Sequence, residues 1–276
     1  MKSILVALDD TPAASAARDV ALALAARHRA RVTGAGIVDV DYLTAPEAVP
    51  LGGAYYKFKG DLEHLKRGHD QAQKLIEDFD KECKRRDING QAVALVGDPL
   101  PEILHAADAH DLIVLGRDTS FHAEPAEGIA APVARLLREN PRPMLITPPA
   151  ARAISPVLVA YDGSVPAARA LQLFTLLQMG KGVPVHVLTV DADAAAAKSV
   201  AQRAASYLDL YRVKAKVHGI ASNAAPADIV LAEAKSLEAG ILVMGAFGHG
   251  GLVKSMLGTC TRKVMAECPT GLFIHH

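Results

Sequence analysis

At 276 residues, half of them hydrophobic, the chain is long enough for two domains of ordinary size and too apolar to stay disordered. Thirty basic residues balance thirty acidic ones, so nothing in the charge marks a nucleic-acid-binding or anionic-membrane-binding surface. No apolar run reaches the length of a bilayer span, Met1-Lys-Ser opens into a strand rather than a signal peptide, and Cys83, Cys260 and Cys268 form no CxxC pair. A reduced, cytoplasmic protein is the expectation.

Ile4-Leu-Val-Ala-Leu8 reads as a buried parallel strand, and Thr11 followed by Pro12 as a helix start. Helical spacing runs from Ala13 to Arg29, and Arg31 to Val40 reads as strand two. Tyr42 to Lys59, with Pro46, Pro50, Gly52-Gly53 and Tyr55-Tyr-Lys-Phe58, reads as a loop or lid. Asp61 to Arg86 is a long charged helix with Leu62, Leu65, Leu75, Ile76 and Phe79 inward. Gln91 to Val96 is strand three, and Gly97-Asp-Pro-Leu-Pro101 leads into a short helix ending near His110. Leu112 to Leu115 is strand four, Ala130 to Glu139 a helix, and Pro143 to Thr147 strand five.

A linker at 148–153 follows, and then the pattern restarts. Ile4-Leu-Val-Ala-Leu-Asp9 returns as Val157-Leu-Val-Ala-Tyr-Asp162, Asp111-Leu-Ile-Val-Leu-Gly116 as Gly240-Ile-Leu-Val-Met-Gly245, and the Pro143 strand as Pro269-Thr-Gly-Leu-Phe-Ile274. The expected architecture is α/β: two tandem Rossmann-like domains, 1–147 and 154–276. Each is a five-stranded parallel sheet, order 3-2-1-4-5, with helices on both faces. In such sheets a ligand sits outside the carboxyl ends of the strands, where strand order reverses. Asp162 and Gly245 fall at such ends.

Gly245-Ala-Phe-Gly248-His-Gly-Gly-Leu-Val-Lys-Ser-Met-Leu-Gly258-Thr259 lies between the apolar run Ile241–Met244 and a helical pattern from Arg262 to Glu267. Strand, glycine loop and helix place free N–H groups and a positive helix end at the sheet edge, which suits an anion. Positive φ at Gly245, Gly248 and Gly258 would bring the backbone close to a ligand, and Thr259 adds a hydroxyl. A tight turn that packs helix on strand explains the glycines equally well. The loop is not a Walker A motif, because Val253 stands where G-x-x-x-x-G-K-[ST] needs its second glycine.

The spacing Gly245-x2-Gly248-x9-Gly258-Thr259 is similar to the G-2x-G-9x-G-[S/T] nucleotide signature of the universal stress protein family. Val157-Leu-Val-Ala-Tyr-Asp162-Gly-Ser164 resembles that family's first strand and adenine-side Asp. The resemblance covers the chain twice, as in a tandem member. It implies an adenine nucleotide (ATP, or ADP or AMP) in the second half, with Mg2+ held through its phosphates. The implied contacts are Ala160, Asp162, Thr189, Val190, Gly245, Gly248, His249, Gly258, Thr259 and Cys260. Taken without the resemblance, Asp162 reads first as a cap for the helix opening at Ser164-Val-Pro166, His249 as a solvated loop residue and Lys254 as a surface lysine or a counter-charge. Cys260, near a helix start that can lower a thiol's pKa, reads as a packed small residue or a redox sensor. Family domains pair through their last strand, so the resemblance implies an intramolecular pseudo-dimer of the halves. The final strand, Gly271 to Ile274, is then a natural exposed edge for pairing, which leaves a homodimer open.

The first half departs from the signature. Arg117-Asp118-Thr119 follows Gly116, the spacing to Gly128 is one short, and Ile129 replaces the hydroxyl residue. Asp118, Glu124 and Glu127 would oppose a triphosphate, so this half is expected not to bind ATP. No GxSxG, HExxH or kinase set is present, so no catalytic residue is assigned. The histidines lack zinc-site spacing, so no metal ligand is assigned and they read as scattered surface residues. Against nucleotide-dependent stress response or signalling stand two other readings, a scaffold or apolar-ligand binder with a vestigial nucleotide site, and a slow ATPase.

Overall fold

Unbroken aliphatic runs such as Ile4–Leu8 and Ile241–Met244 have no polar alternation, which suits strands covered on both faces. The computed structural model describes residues 1–50, 53–121, 129–151, 154–246 and 258–276. The first half runs β1 (Ser3–Leu8), α1 (Pro12–His28), β2 (Arg31–Val38), α2 (Val40–Leu43), α3 (Ala54–Arg85), β3 (Gly90–Val96), α4 (Pro99–Ala107), β4 (Leu112–Gly116), α5 (Ala131–Glu139) and β5 (Met144–Thr147). The second runs β6 (Val157–Ala160), α6 (Val165–Leu176), β7 (Val185–Asp191), α7 (Ala194–Leu210), β8 (Ala215–Ala221), α8 (Pro226–Ser236), β9 (Ile241–Gly245), α9 (Thr259–Glu267) and β10 (Gly271–His275).

Both halves start their first helix the same way. Ala14 N–H donates to Thr11 Oγ1 at 3.2 Å, and Ala167 N–H to Ser164 Oγ at 3.3 Å, with a proline in each first turn. These caps fix where the chain leaves β1 and β6, and so where Asp9 and Asp162 stand.

The ten strands among the described residues join one sheet, ordered β3-β2-β1-β4-β5-β10-β9-β6-β7-β8. Each half is parallel in the order 3-2-1-4-5, and the halves meet where β5 and β10 pair antiparallel, Phe273 opposite Leu145. One apolar cluster spans both halves on the face of α1 and α6, including Leu22, Phe79, Phe174 and Phe273. The Phe174 and Phe273 rings meet edge to face, centroids 6.1 Å apart. A second cluster lies on the opposite face under α4, α5, α8 and α9.

Three expectations change. The last strand is no exposed edge: β10 is buried along its length between β5 and β9. Its backbone donors and acceptors are already used within the chain, and the outer strands are β3 and β8. The expected lid is helical at its two ends, since α2 forms at Val40–Leu43 and α3 starts at Ala54, taking in Tyr55 to Phe58. Leu62 faces outward at 51% exposure, because the sheet supports only the later turns of α3, around Ala72, Phe79 and Cys83.

Candidate functional site

Strand order reverses between β1 and β4 in the first half and between β6 and β9 in the second, so each half opens a crevice at those carboxyl ends. In the second half, Tyr161 N–H donates to Leu188 O at 2.9 Å, and the buried Thr189 hydroxyl to Tyr161 O at 2.6 Å. Thr189 therefore spends its side chain tying the ends of β6 and β7 together. Ala160, Val190 and Cys260 all pack half-buried on one apolar cluster and give the crevice an apolar floor.

Asp162 is exposed above that floor and accepts from Ser164 N–H at 2.9 Å. It braces the turn before the helix, while Ser164 is the cap itself. Cys260, at the start of α9, feels the Asp162 charge. Burial first and that carboxylate second push its thiol pKa up. The thiolate-favouring effect considered for a helix start is thus outweighed.

Gly245, at the carboxyl end of β9, lies against a helix start. Its φ is not positive, and a Cβ there would collide with the backbone of Pro166 and Ala167 at the start of α6. Gly116 is in the same position against Ala13 and Ala14 of α1. These glycines let a helix start lie on a strand end. Gly258 has φ −60 as the N-cap of α9, so it too lacks positive φ, and a Cβ there would meet nothing among the described residues. Among the described residues no side chain caps the start of α9, and Thr259 stands exposed in its first turn. Gly248, His249 and Lys254 lie outside the described residues.

In the first half the equivalent place is filled. Asp9 is buried, and its carboxylate accepts from Asp10 N–H at 2.8 Å, Ser120 N–H at 3.0 Å and Phe121 N–H at 2.9 Å. Burial raises the Asp9 pKa above its ordinary value, against the lowering pull of these donors, with Asp118 adding to the rise. The Phe121 side chain joins the core cluster, reached through a positive φ of 65. Asp118 turns back to the start of α1, accepting from Thr11 Oγ1 at 2.7 Å and Ala13 N–H at 3.4 Å. Of the expected repelling acids, Asp118 is thus occupied at the helix start, and Glu124 and Glu127 lie outside the described residues. Sequence reasoning missed the Ser120–Phe121 plug. Its signal was an aromatic residue in a loop that had lost its glycine.

The universal stress protein family model matches residues 1–124 and 153–274. The chain belongs to the universal stress protein family. Universal stress protein Slr1230 of Synechocystis is 26% identical over 281 residues, covering 97% of each chain. A universal stress protein structure from Archaeoglobus fulgidus superimposes with TM-score 0.74 at 17% identity, covering 99% of this chain and 97% of that one. A protein of unknown function from Pseudomonas aeruginosa PAO1 gives TM-score 0.57 at 14% identity, covering 100% and 92%. The structural likenesses show the fold.

Two further features of this universal stress protein bear on the expectations. His110 is no surface residue: buried, it lies 2.7 Å from Ala106 O through Nδ1 and 3.0 Å from Thr33 Oγ1 through Nε2. Among the described residues, no helix is long and apolar enough to cross a membrane, and no three metal-ligating side chains cluster.

Proposed function

We propose that the second half, 154–276, binds an adenine nucleotide in the crevice between β6 and β9. The first half, 1–147, joined through 148–153, is its non-binding structural partner, and the two form a covalent pseudo-dimer across β5 and β10. The observation that carries this reading is the exposed Asp162 carboxylate above a half-buried apolar floor, where the first half has a carboxylate enclosed by its own loop.

The residues present suit such a ligand. Ala160, Val190 and the Cys260 side chain offer apolar surface to a purine, and Asp162 is an acceptor for an exocyclic amine. The start of α9 at Gly258-Thr259 offers donors to a phosphate. Thr189 and Gly245 hold the walls that carry these groups. The motif residues Gly248 and His249 complete the proposed set, and Mg2+ would be held through the phosphates rather than by a protein cluster. The nucleotide is ATP, read as a ligand in stress signalling in a reduced, cytoplasmic setting, which the three free cysteines suit.

The experiment is calorimetric titration of Mg-ATP into wild type and Gly248→Phe. Binding to wild type and none to the variant is the expected result. Equal affinity in both would remove the glycine loop from the site.

A further inference from the structure

The crevice between α1 and α3 holds a cavity of about 160 Å3, bounded by Asp10, Ser15, Arg18, Lys74, Leu75 and Asp78. It lies across Asp9 from the place filled by Phe121, and it exists because α3, 32 residues long, reaches over α1; its counterpart α7 has 17 residues.

The two halves supply the comparison that gives this cavity meaning. Matching Ile4–Asp9 with Val157–Asp162 carries Ser15 onto Ala168 and Arg18 onto Leu171. Leu171 is buried in the core, the ordinary occupant of such a helix position. At that position the first half puts a half-buried arginine whose side chain borders the cavity; its Nε is enclosed and, among the described residues, has no hydrogen-bond partner. A buried unpaired donor is costly and usually has a reason. Its other contacts are loose: Ser15 Oγ at 3.5 Å and Asp19 at 3.6 Å, and Asp19 is itself held by Arg86 at 2.9 Å.

The remaining charges sort by availability. Asp9 is committed to three backbone N–H groups, and Asp78 pairs with Lys81 at 3.0 Å. Lys74 and Asp10 have no ion-pair partner among the described residues. The cavity thus offers two cations, Arg18 and Lys74, one open carboxylate, Asp10, and an apolar wall at Leu75. Its volume is close to that of a cavity that holds benzene, about 150 Å3.

We propose that this crevice binds a compact zwitterion of the amino-acid class, its carboxylate on Arg18 and Lys74, its ammonium on Asp10 and its apolar side chain against Leu75. The site is separate from the nucleotide crevice of the second half and does not depend on it.

Saturation-transfer NMR on the full chain, with L-valine, isovalerate and isobutylamine as probes, tests the assignment. Valine should bind about tenfold more tightly than either single-charge analogue. Arg18→Leu, which copies the second half, should remove valine binding and raise the thermal midpoint by restoring an apolar residue at a core position. Lys74→Gln, at an exposed position, gives a second variant that should weaken valine binding with the fold intact. No binding of valine to wild type at millimolar concentration, equal binding of isovalerate, or valine binding retained in both variants would each overturn the proposal. A lower midpoint for Arg18→Leu would show that the arginine serves the fold rather than a ligand.

Discussion

The two halves share a strand order, a capped first helix and a glycine at the end of the fourth strand, yet they treat one carboxylate in opposite ways. Asp9 is covered by Ser120 and Phe121 and accepts from three backbone N–H groups, while the corresponding Asp162 stays exposed and accepts from Ser164 N–H. A universal stress protein fold can thus be kept while its crevice is closed from within. The closing elements are short: a backbone turn on the carboxylate, an aromatic ring in the core, and a second acid, Asp118, at the helix start. The helix-on-strand contact needs Gly116 and Gly245 alike, whatever either crevice holds.

The largest effect should come from what the halves share. Gly245→Ala and Gly116→Ala each force a Cβ onto helix backbone that cannot step aside, so each should cost about 3 kcal/mol in urea unfolding. If Gly116→Ala were harmless while Gly245→Ala was not, the two glycines would not be doing the same job.

Phe121→Ala should cost a similar amount, about 3 kcal/mol, because the ring is 9% exposed and packs in the core. It should still not create a second nucleotide site, since Asp118 keeps its place at α1. Two nucleotides per chain in that variant would show that the ring alone closes the first crevice.

Asp162→Ala should reduce Mg-ATP affinity by about 30-fold, or about 2 kcal/mol, with little change in stability. Asp9→Ala should leave that affinity untouched. Equal loss in both would erase the distinction between the halves.

The smallest effect is a pH dependence. Burial holds the Asp9 carboxyl above its ordinary 3.8. The folded state therefore keeps a proton that the unfolded chain has already released, so this group favours folding at low pH. That contribution is lost as pH rises from 3.8 through the folded value. The stability of wild type minus that of Asp9→Asn should fall with rising pH across that window. A flat difference in thermal unfolding would mean that Asp9 is solvated rather than enclosed.

Much of this was legible in the chain. The aliphatic runs gave the strands, because a strand buried on both faces has no polar residue to disguise it, and the repeated Val-Ala-x-Asp and Val-x-Gly segments gave the duplication. Capping by Thr11 and Ser164 was readable from a hydroxyl before proline. What escaped depends on distance along the chain. The packing of Gly245 against a helix start depends on Pro166 and Ala167, dozens of residues away, and the motif alone left helix packing and ligand approach both open. The Asp9–Phe121 contact is likewise long-range and passes through backbone N–H groups, which carry no side-chain signature. The lid at Tyr55–Phe58 was misread because Gly52-Gly53 and Pro50 suggested a break, whereas α3 starts directly after Gly53. The exposed edge at Gly271–Ile274 was misread because its partner, β5, lies across the linker.

The central claim is one live nucleotide site per chain, in the second half. The most direct test is mass spectrometry of small molecules released from the purified, denatured protein after saturation with Mg-ATP, counted per chain in wild type, Asp9→Ala and Asp162→Ala. The account predicts close to one adenine nucleotide per chain in the first two and clearly less than one in the third. Two per wild-type chain, none at all, or loss in Asp9→Ala with retention in Asp162→Ala would contradict it.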